Sequence, residues 1–356
     1  MNENESQTAG SLDSDVLHRS YHSFPGFVTV LLIVVSLCYI LLGIFGNGLL
    51  IVAVFTEKKL RTRCNVFLVT LALADITIQG YVLPFSLFDY IYGRYPVGET
   101  FCKVNAFTVC YCYGLSLWSL AFIAFNRFVK ICHPPKYNLW LSRRNTCLCV
   151  AILFLIPVPM NIAPFLGFGD MGYDVILHLC SYLRSGGLMY ILMQMLVTVF
   201  VPAVLVLIFY SMIFYKMFTV RQKLKRVFPN PSAEYIVSKY SRHDITAAYT
   251  LLTVFILLVL LMLPYTVTTL GDVHNNWAPA IHIACLYLAY TNSWINWIIY
   301  GVMNVNIRNT YRRLLCKKRR TEHQQTEQIQ TVSELQNRAQ FRKISQHYEL
   351  ATTMTT

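Results

Sequence analysis

The sequence predicts an all-α membrane protein, a seven-transmembrane helix bundle followed by a short amphipathic eighth helix. Hydrophobic residues make up 55% of the 356 residues and charged residues only 13%, whereas a soluble domain carries about 25% charged residues. Seven apolar runs, called spans one to seven here, each hold the roughly 17 residues needed to cross a bilayer. They cover approximately residues 27–55, 66–90, 102–127, 146–168, 188–217, 245–270 and 279–302. We therefore divide the chain into an outer N-terminus (1–26), a seven-helix domain (27–302), an amphipathic helix (303–320) and a tail expected to be disordered (321–356).

Span three is the segment around which the rest is organised. It contains no charged residue between Lys103 and Arg127. As an α-helix, the stretch from Cys102 to Arg127 rises about 37 Å, and the apolar core of a bilayer is roughly 30 Å thick. Its two ends are therefore expected to face opposite compartments, with Cys102 at one mouth of the bundle and Arg127 at the other.

Basic residues predict the orientation of the bundle. If the N-terminus lies outside, 26 of the 30 Lys and Arg residues fall in inner loops and the C-terminal tail, as the positive-inside rule requires. The net charge of +13 then reflects this topology and anionic lipid, and not nucleic acid. The first 26 residues hold no apolar signal-peptide core, so span one itself is expected to direct insertion. Asn4 begins a glycosylation sequon on the outer side.

Two of the eleven cysteines stand apart from the others. Most cysteines lie inside spans, where they act as small apolar side chains. Cys102, at the top of span three, and Cys180, in the loop between spans four and five, would both lie in the oxidising compartment. A disulfide between them would tie that loop over the mouth of the bundle.

Asp75 is a carboxylate deep inside span two. An intramembrane acid costs roughly 2.5 to 3.5 kcal/mol even on the lenient insertion scale, which marks it as a functional candidate. Ser116, Asn292 and Ser293 lie at similar depth on other spans, and together the four residues could hold a sodium ion. The alternative is a protonated acid with a structural role only. We expect no other cofactor.

Proline and asparagine interrupt several spans. Pro84, Pro202 and Pro264 lie inside spans two, five and six, where proline removes a helix hydrogen bond and favours a kink. Asn47 is a polar amide within span one, so it is expected to face the bundle interior, where a neighbouring helix can supply a partner.

The inner end of span three reads Asn126, Arg127, Phe128. A boundary arginine needs an acceptor, and position 126 offers only a neutral amide. Asp244, at the inner start of span six, is the remote candidate partner. The alternative is that Arg127 snorkels to lipid phosphates.

The segment after span seven is amphipathic. Ile307, Tyr311, Leu314 and Leu315 lie opposite many basic residues between 306 and 320, a pattern that predicts a helix on the inner leaflet of the membrane. Cys316, at its end, is a candidate palmitoylation site. Ser and Thr residues of the tail could accept phosphate and recruit a cation-rich partner.

These marks, taken in order, resemble the rhodopsin-like, or class A, G protein-coupled receptors over roughly residues 27–316. The resemblance rests on Gly46-Asn47, Leu71 to Asp75, Cys102 with Cys180, Asn126 to Phe128, Pro202 with Tyr210, Pro264, and Asn296 to Tyr300. Within that family the chain looks most like the melatonin receptors and their orphan relatives, on the strength of KKLR in the first inner loop, NRF followed by ICH, and Ile298 to Gly301 after a residue other than proline.

The resemblance implies a signalling role. The chain would be a plasma-membrane receptor that passes an extracellular small-molecule signal to a heterotrimeric G protein, with arrestin and a receptor kinase acting on its Ser/Thr tail. Nucleotide exchange would occur on the G protein, so the receptor would not be an enzyme and would have no catalytic residue. Tyr210, Asn296 and Tyr300 would act with Arg127 in the switch. Since Asn126 cannot neutralise Arg127, we expect raised basal activity, and the melatonin branch implies inhibitory-type coupling.

The resemblance also implies a ligand pocket in the outer half of the bundle. Its predicted residues are Val109, Tyr113, Tyr182, Arg184, Gln194, Thr198, Tyr265, Thr269, His282, Leu286 and Tyr290. Val109 stands where amine receptors carry an aspartate, so a protonated amine would lack its counter-ion. Arg184 would favour an anionic or strongly accepting group. Departures from the melatonin branch at Arg184 and Thr198, with others at Tyr95, Phe154 and Met262, argue against melatonin itself as the ligand.

Three rival functions remain open at this point. An intramembrane acid such as Asp75 also suits a transporter or channel, although the spans show no internal repeat of the kind that many transporters have. An intramembrane hydrolase would need paired catalytic residues that the spans lack. A receptor-shaped scaffold that signals through arrestin or dimerisation is equally compatible with the sequence.

Overall fold

The computed structural model describes residues 25–93, 95–227, 231–272 and 276–316, and at most positions between 220 and 251 it describes the backbone alone. The sequon at Asn4, the tail after Cys316 and the side chain of Asp244 therefore lie outside the described residues. The chain divides into two compact units after Tyr311, and the helix bundle belongs to the first of them.

Each of the seven predicted spans is helical, which confirms the predicted all-α bundle. The helices are Gly26–Thr56 (span one), Arg63–Thr77 and Leu83–Tyr92 (span two), Glu99–Cys132 (span three), Arg143–Leu155 and Val158–Ile162 (span four), Leu188–Met195 and Val201–Val227 (span five), Pro231–Gly271 (span six), Pro279–Met303 (span seven) and Val305–Leu315. A short helix, Tyr137–Trp140, lies in the second inner loop, and single 3-10 turns cover Lys58–Leu60, Pro134–Lys136, Ala163–Leu166 and Arg184–Gly186.

Spans one to six are long and apolar enough to cross a membrane. Span seven has 25 residues, which is also sufficient length, but it is more polar because Thr291, Asn292, Ser293 and Asn296 lie near its middle. Three of these residues are buried inside the bundle, Thr291 being only partly buried, so the polarity of span seven faces protein and not lipid.

Span three lies at the centre of the bundle. In its most apolar segment 67% of residues are buried, against 11% in span one. Span one therefore presents most of its apolar side chains outward, where lipid would cover them, while span three packs against protein on nearly every side.

Prolines in spans two and five are each preceded by a π turn. Ile78–Val82 precedes Pro84 and Leu196–Phe200 precedes Pro202, and in both turns the closing N–H reaches back five residues. A proline ring collides with the carbonyl four residues earlier, and the wider turn makes room for it. In span five the turn releases the carbonyl of Val197, which accepts a hydrogen bond from Trp118 Nε1 of span three at 3.1 Å.

Spans two and four begin on the inner side with the same kind of cap. The hydroxyl of Thr62 accepts from the backbone N–H of Asn65 at 3.3 Å, and that of Ser142 accepts from the N–H of Asn145 at 3.2 Å. Each cap satisfies one backbone donor that the first helical turn leaves without a partner. The two spans therefore start at positions fixed by the local sequence.

Glycines bring span one close to spans two and seven. A Cβ atom added at Gly43 would overlap the side chain of Gln79, and one added at Gly46 would overlap the indole ring of Trp297. Asn47, one residue further, donates to the carbonyl of Ser293 at 2.8 Å. This contact agrees with the prediction that Asn47 faces the bundle interior.

The outer loop between spans four and five forms an antiparallel hairpin that the sequence did not predict. Strand β1 is Met171–Asp174 and strand β2 is Leu179–Tyr182, with Met171 opposite Tyr182. Asp174 Oδ1 accepts from the N–H groups of Ile176 and Leu177, which closes the turn. All four residues of β2 are buried, and the predicted Cys102–Cys180 disulfide is present. The hairpin is therefore packed into the mouth of the bundle as a lid.

Candidate functional site

Three groups of predicted site residues lie along the bundle axis, and the inner group contains Arg127. This residue lines a cavity at the inner end of the bundle together with Asn65, Tyr300 and Asn304. The hydroxyl of Tyr300 is buried and has no hydrogen-bond partner among the described residues. Arg127 and Tyr300, predicted to act in one switch, thus border the same space.

Asn126 is hydrogen-bonded to the second inner loop. It is fully buried, and its Oδ1 accepts a hydrogen bond from the hydroxyl of Tyr137 at 3.4 Å. Tyr137 begins the short helix of the second inner loop and also lies against the guanidinium of Arg63, 5.6 Å from the ring centre. Burial raises the pKa of the Tyr137 phenol, and the hydrogen bond to Asn126 opposes that shift, so Tyr137 remains a donor. Phe128 stacks on Phe209 of span five.

The middle group surrounds Asp75. The carboxylate is fully buried and accepts from Asn296 Nδ2 at 3.0 Å and from Ser116 Oγ at 3.4 Å. Ser293 lies beside it, and Asn292 Oδ1 is buried without a partner among the described residues. The structure therefore brings Ser116, Ser293 and Asn296 to the Asp75 carboxylate. Among the described residues no cluster of three or more His, Cys, Asp or Glu side chains could hold a metal ion.

The outer group is the predicted ligand pocket. Val109 and Leu286 are buried apolar residues, and the Tyr113 and Tyr290 rings stack with centroids 6.4 Å apart. Tyr182 of the lid lies beside Tyr265 and Thr269 of span six. The hydroxyl of Thr269 donates a hydrogen bond to the backbone carbonyl of Tyr265 in the same helix.

Several polar atoms of this outer group are buried with no hydrogen-bond partner among the described residues. They are the hydroxyls of Tyr113 and Tyr290 and the amide oxygen of Gln194. Thr198 is also buried and sits in the π turn of span five. Asn161, in span four, has a buried amide oxygen of the same kind. Asn161 was not among the predicted site residues, because a single asparagine near the end of an apolar run forms no motif that would mark it.

Arg184 occupies a different position from the one expected for a ligand contact. It follows β2 directly, and its Nη1 donates to the carbonyl of Asp272 at 2.8 Å while its Nη2 lies 3.1 Å from His282 Nδ1. His282 Nε2 lies 2.8 Å from Asp272 Oδ2. Arg184 and His282 were both predicted to face the ligand, but here they bind each other and Asp272, a residue that the sequence reasoning did not single out.

Asp272 is the centre of this outer network. Its carboxylate also accepts from the backbone N–H groups of Asn276 at 2.7 Å and Trp277 at 2.8 Å. Desolvation acts to raise the pKa of Asp272, but the hydrogen bonds from Trp277, Asn276 and His282 outweigh it and hold the pKa below its ordinary value. Asp272 is thus an anion at neutral pH.

Comparison with known proteins defines the family. The sequence profile described as "7 transmembrane receptor (rhodopsin family)" matches residues 46–300. The chain belongs to this family. The melatonin receptor type 1B-B of Danio rerio is 30% identical over 297 residues, which cover 82% of this chain and 83% of that protein. The melatonin receptor type 1B of Homo sapiens is 29% identical over 300 residues, covering 82% and 80%.

The fold comparison agrees. A crystal structure of squid rhodopsin superposes with a TM-score of 0.73, covering 83% of this chain and 88% of that one at 20% identity. The protein is therefore a class A G protein-coupled receptor near the melatonin receptors, a multi-pass plasma-membrane protein and not an enzyme. Its partners as a member of this family are a heterotrimeric G protein and a small ligand. The transporter, channel and hydrolase interpretations are set aside by this membership.

Proposed function

We propose that this receptor binds a small, hydrogen-bonding molecule in the outer half of the bundle and activates an inhibitory-type heterotrimeric G protein. The observation that carries the proposal is the set of buried polar atoms on Tyr113, Gln194 and Tyr290 that have no hydrogen-bond partner in the described part of the chain. Each such atom costs about 1–3 kcal/mol when it is left unsatisfied. A ligand that offers matching donors and acceptors would remove this cost, so these atoms favour a polar but uncharged recognition surface.

The chemistry of the pocket defines which ligands to test. Val109 provides an apolar wall in place of a counter-ion, so a protonated amine gains no ion pair there. Because the two relatives described above are melatonin receptors, melatonin is the first compound to test. We expect it to be a poor agonist because Arg184 and Thr198 replace residues of the melatonin branch. A ligand with a strongly accepting group would compete with Asp272 or His282 for Arg184.

A panel of small molecules that includes melatonin, assayed with a G protein activation sensor, tests the pocket. For any agonist found, Tyr290→Phe and Gln194→Ala should each lower potency about tenfold, the effect of about 1.4 kcal/mol. Tyr92→Phe is the matched control, because Tyr92 is exposed at the end of span two. Unchanged potency in both pocket variants would overturn the assignment of the pocket.

We further infer signalling without ligand. Asn126 is neutral and its oxygen is already engaged by Tyr137, so it offers Arg127 no charge that would hold the inactive state. In the active state Tyr210 and Tyr300 would hold Arg127 turned toward the G protein. Inhibition of cAMP production should be measurable in cells that express the chain alone.

Arg127→Ala at matched surface level is the control for ligand-free signalling. Loss of the signal in this variant would support the proposal, and Asp244→Ala should raise the signal if Asp244 restrains Arg127. An unchanged signal in Arg127→Ala would instead favour a scaffold that acts through arrestin or dimerisation. If neither the wild type nor Arg127→Ala inhibits cAMP production without ligand, the proposed basal activity is wrong.

The remaining parts of the proposal concern orientation and further partners. An outer N-terminus is supported by the Cys102–Cys180 disulfide, since disulfides persist in oxidising compartments. Arrestin and a receptor kinase would act on the Ser/Thr-rich tail, and the amphipathic helix, with exposed Cys316 at its end, would lie on inner-leaflet lipid. Asp75, Ser116, Asn292 and Ser293 would bind an allosteric sodium ion.

A further inference from the structure

Three outer segments meet at the hydrogen bonds between Arg184, His282 and Asp272. Arg184 belongs to the loop after the lid, Asp272 ends span six and His282 lies in the first turn of span seven. Arg184 Nη1 lies 2.8 Å from the Asp272 carbonyl and Nη2 lies 3.1 Å from His282 Nδ1. His282 Nε2 lies 2.8 Å from Asp272 Oδ2. These contacts join residues 88 and 98 positions apart in the sequence, so they hold the lid against spans six and seven.

Donor and acceptor chemistry fixes the state of His282. A guanidinium only donates and an ionised carboxylate only accepts. His282 must therefore accept from Arg184 at Nδ1 and donate to Asp272 from Nε2, which is the neutral imidazole with its proton on Nε2. The protonated imidazolium carries a proton on both nitrogens. It would turn a donor and a positive charge toward the Arg184 guanidinium, while its contact with Asp272 would remain.

Strand β2 and the loop after it are attached to the bundle at two points. The Cys102–Cys180 disulfide fixes β2 to span three with a Cα–Cα distance of 5.4 Å. Four residues after Cys180, the Arg184 contacts fix the other end to spans six and seven. Between these points Tyr182 covers the pocket, and Ser181 Oγ lies 3.9 Å from Cys110 Sγ of span three. The disulfide is covalent, so of these two attachments only the one at Arg184 can open without a chemical step.

We propose that Arg184, His282 and Asp272 form a gate that closes the pocket from the outside, and that protonation of His282 by extracellular acid opens it. The charged groups that face His282 among the described residues are Arg184 from the lid loop and Asp272 from span six. Trp277 contributes only a ring, 6.4 Å away, and Tyr265 of span six interacts electrostatically with Arg184. The proposal rests on the proposed function only in taking this pocket as the ligand site.

A second histidine among the described residues of the outer loops, His178, responds to acid in the opposite direction. His178 Nδ1 lies 2.7 Å from Asp89 Oδ2, so protonation would add an attractive charge to a contact that already exists. Asp89 and His178 join the lid turn to span two. Acid therefore strengthens the attachment of the lid turn while it weakens the attachment at Arg184, so the two ends of the lid respond in opposite directions.

Cys110 provides a readout that needs neither a ligand nor a G protein. Its thiol is buried beneath β2 and is not in a disulfide. A membrane-impermeant, positively charged methanethiosulfonate reagent, applied to intact cells, should modify it only when the lid opens. Cys110→Ser gives the background from Cys38 and Cys285, which are partly exposed. The difference in labelling rate reports gate opening at Cys110.

Substitutions at His282 separate the neutral from the protonated state. His282→Gln can accept from Arg184 and donate to Asp272, as the neutral imidazole does, but it cannot be protonated. The ratio of the wild-type rate to the His282→Gln rate cancels the pH dependence of the thiol and the reagent. Histidine changes charge between about pH 8 and about pH 5, so this ratio should be near one at about pH 8. It should rise about tenfold at about pH 5.5, the effect expected when one charge-assisted hydrogen bond is lost.

Two further variants define the open state. In His282→Ala and Arg184→Ala the reagent should modify Cys110 rapidly at both pH values. Biotinylation of the full chain checks the surface level of each variant. The experiment is repeated with His274→Gln, so that the other histidine of this loop is taken into account. The gate would be overturned if the ratio of wild-type to His282→Gln labelling rates did not change with pH. It would also be overturned if Cys110 in His282→Ala were labelled as slowly as in the wild type. Neither result depends on agonist potency or signalling, so failure of the gate and failure of the proposed function are distinguishable.

Discussion

Asn126 and Tyr137 are linked by a hydrogen bond of 3.4 Å between the amide oxygen of one and the hydroxyl of the other. This contact ties the inner end of span three to the second inner loop. It is made by a neutral side chain at the position immediately before Arg127, so residue 126 adds no charge beside the guanidinium.

We predict that Asn126→Asp lowers ligand-free signalling several-fold. A carboxylate can still accept from Tyr137, and it adds a negative charge beside Arg127 that is worth roughly 1.5–3 kcal/mol as a charge-assisted hydrogen bond. Ligand-free cAMP inhibition at matched surface level is the measurement. Tyr137→Phe serves as the control, since it removes the hydrogen bond to Asn126 and adds no charge. A rise in basal signal in Asn126→Asp would contradict the prediction.

We predict that Gly46→Ala destabilises the bundle and Gly48→Ala does not. A Cβ at Gly46 would overlap Trp297, whereas one at Gly48 has nothing within 4 Å. Overpacking of this kind costs about 1–3 kcal/mol. Thermal inactivation of the purified receptor in detergent should show the difference, and Trp297→Ala should recover part of the loss in Gly46→Ala. Equal stabilities for the two alanine variants would show that spans one and seven can separate at no cost.

We predict that Asp75→Asn abolishes any effect of sodium on agonist affinity. Asp75 supplies the only charge among the residues brought together with Ser116 and Asn296, and a neutral amide cannot replace it. Agonist competition binding with sodium exchanged for a large organic cation measures the effect. If the wild type itself ignores sodium, Asp75 has a structural role only, and the ion is absent from this receptor.

We predict that the stabilising contribution of Asp272 disappears only in strong acid. Because the pKa of this carboxylate is held below its ordinary value in the folded state, its contribution is present above about pH 4, the unfolded value, and is lost as the pH falls through the lower folded pKa. The stability difference between wild type and Asp272→Asn should persist from neutral pH to about pH 5 and shrink below about pH 4. A difference that already vanished near pH 6 would assign the effect to another group.

The sequence predicted the fold well because a membrane span can be recognised from its run of apolar residues alone. Twenty or so apolar residues in a row have few alternatives to a membrane helix, so seven spans and the central place of span three followed from counting. The Cys102–Cys180 disulfide was predicted in the same way, since these are the two cysteines that the predicted topology places at the outer mouth of the bundle. The hairpin over Met171–Tyr182 did not follow, because strands of four residues in an apolar loop carry almost no periodic signal.

The candidate site was predicted by residue type but not by partner. Ser116 and Ser293 lie beside Asp75, as their similar depth along the spans suggested. Asn296, which was predicted to act in the switch, also donates to Asp75. Arg184 and His282 were correctly placed at the outer mouth, yet the prediction directed them toward a ligand. In the structure they bind Asp272, which lies 88 residues from Arg184 in the sequence. No local sequence pattern predicts a contact over that separation.

By itself, the sequence determined the class of this protein, its seven spans and the identity of the residues that interrupt them, since hydrophobic length and intramembrane polarity are local properties. Only the tertiary structure decided which polar groups satisfy one another and which remain without partners. Those pairings depend on distances of about 3 Å between helices far apart in the chain. They decide that Tyr290 and Gln194 remain available for a ligand while Arg184 closes the lid.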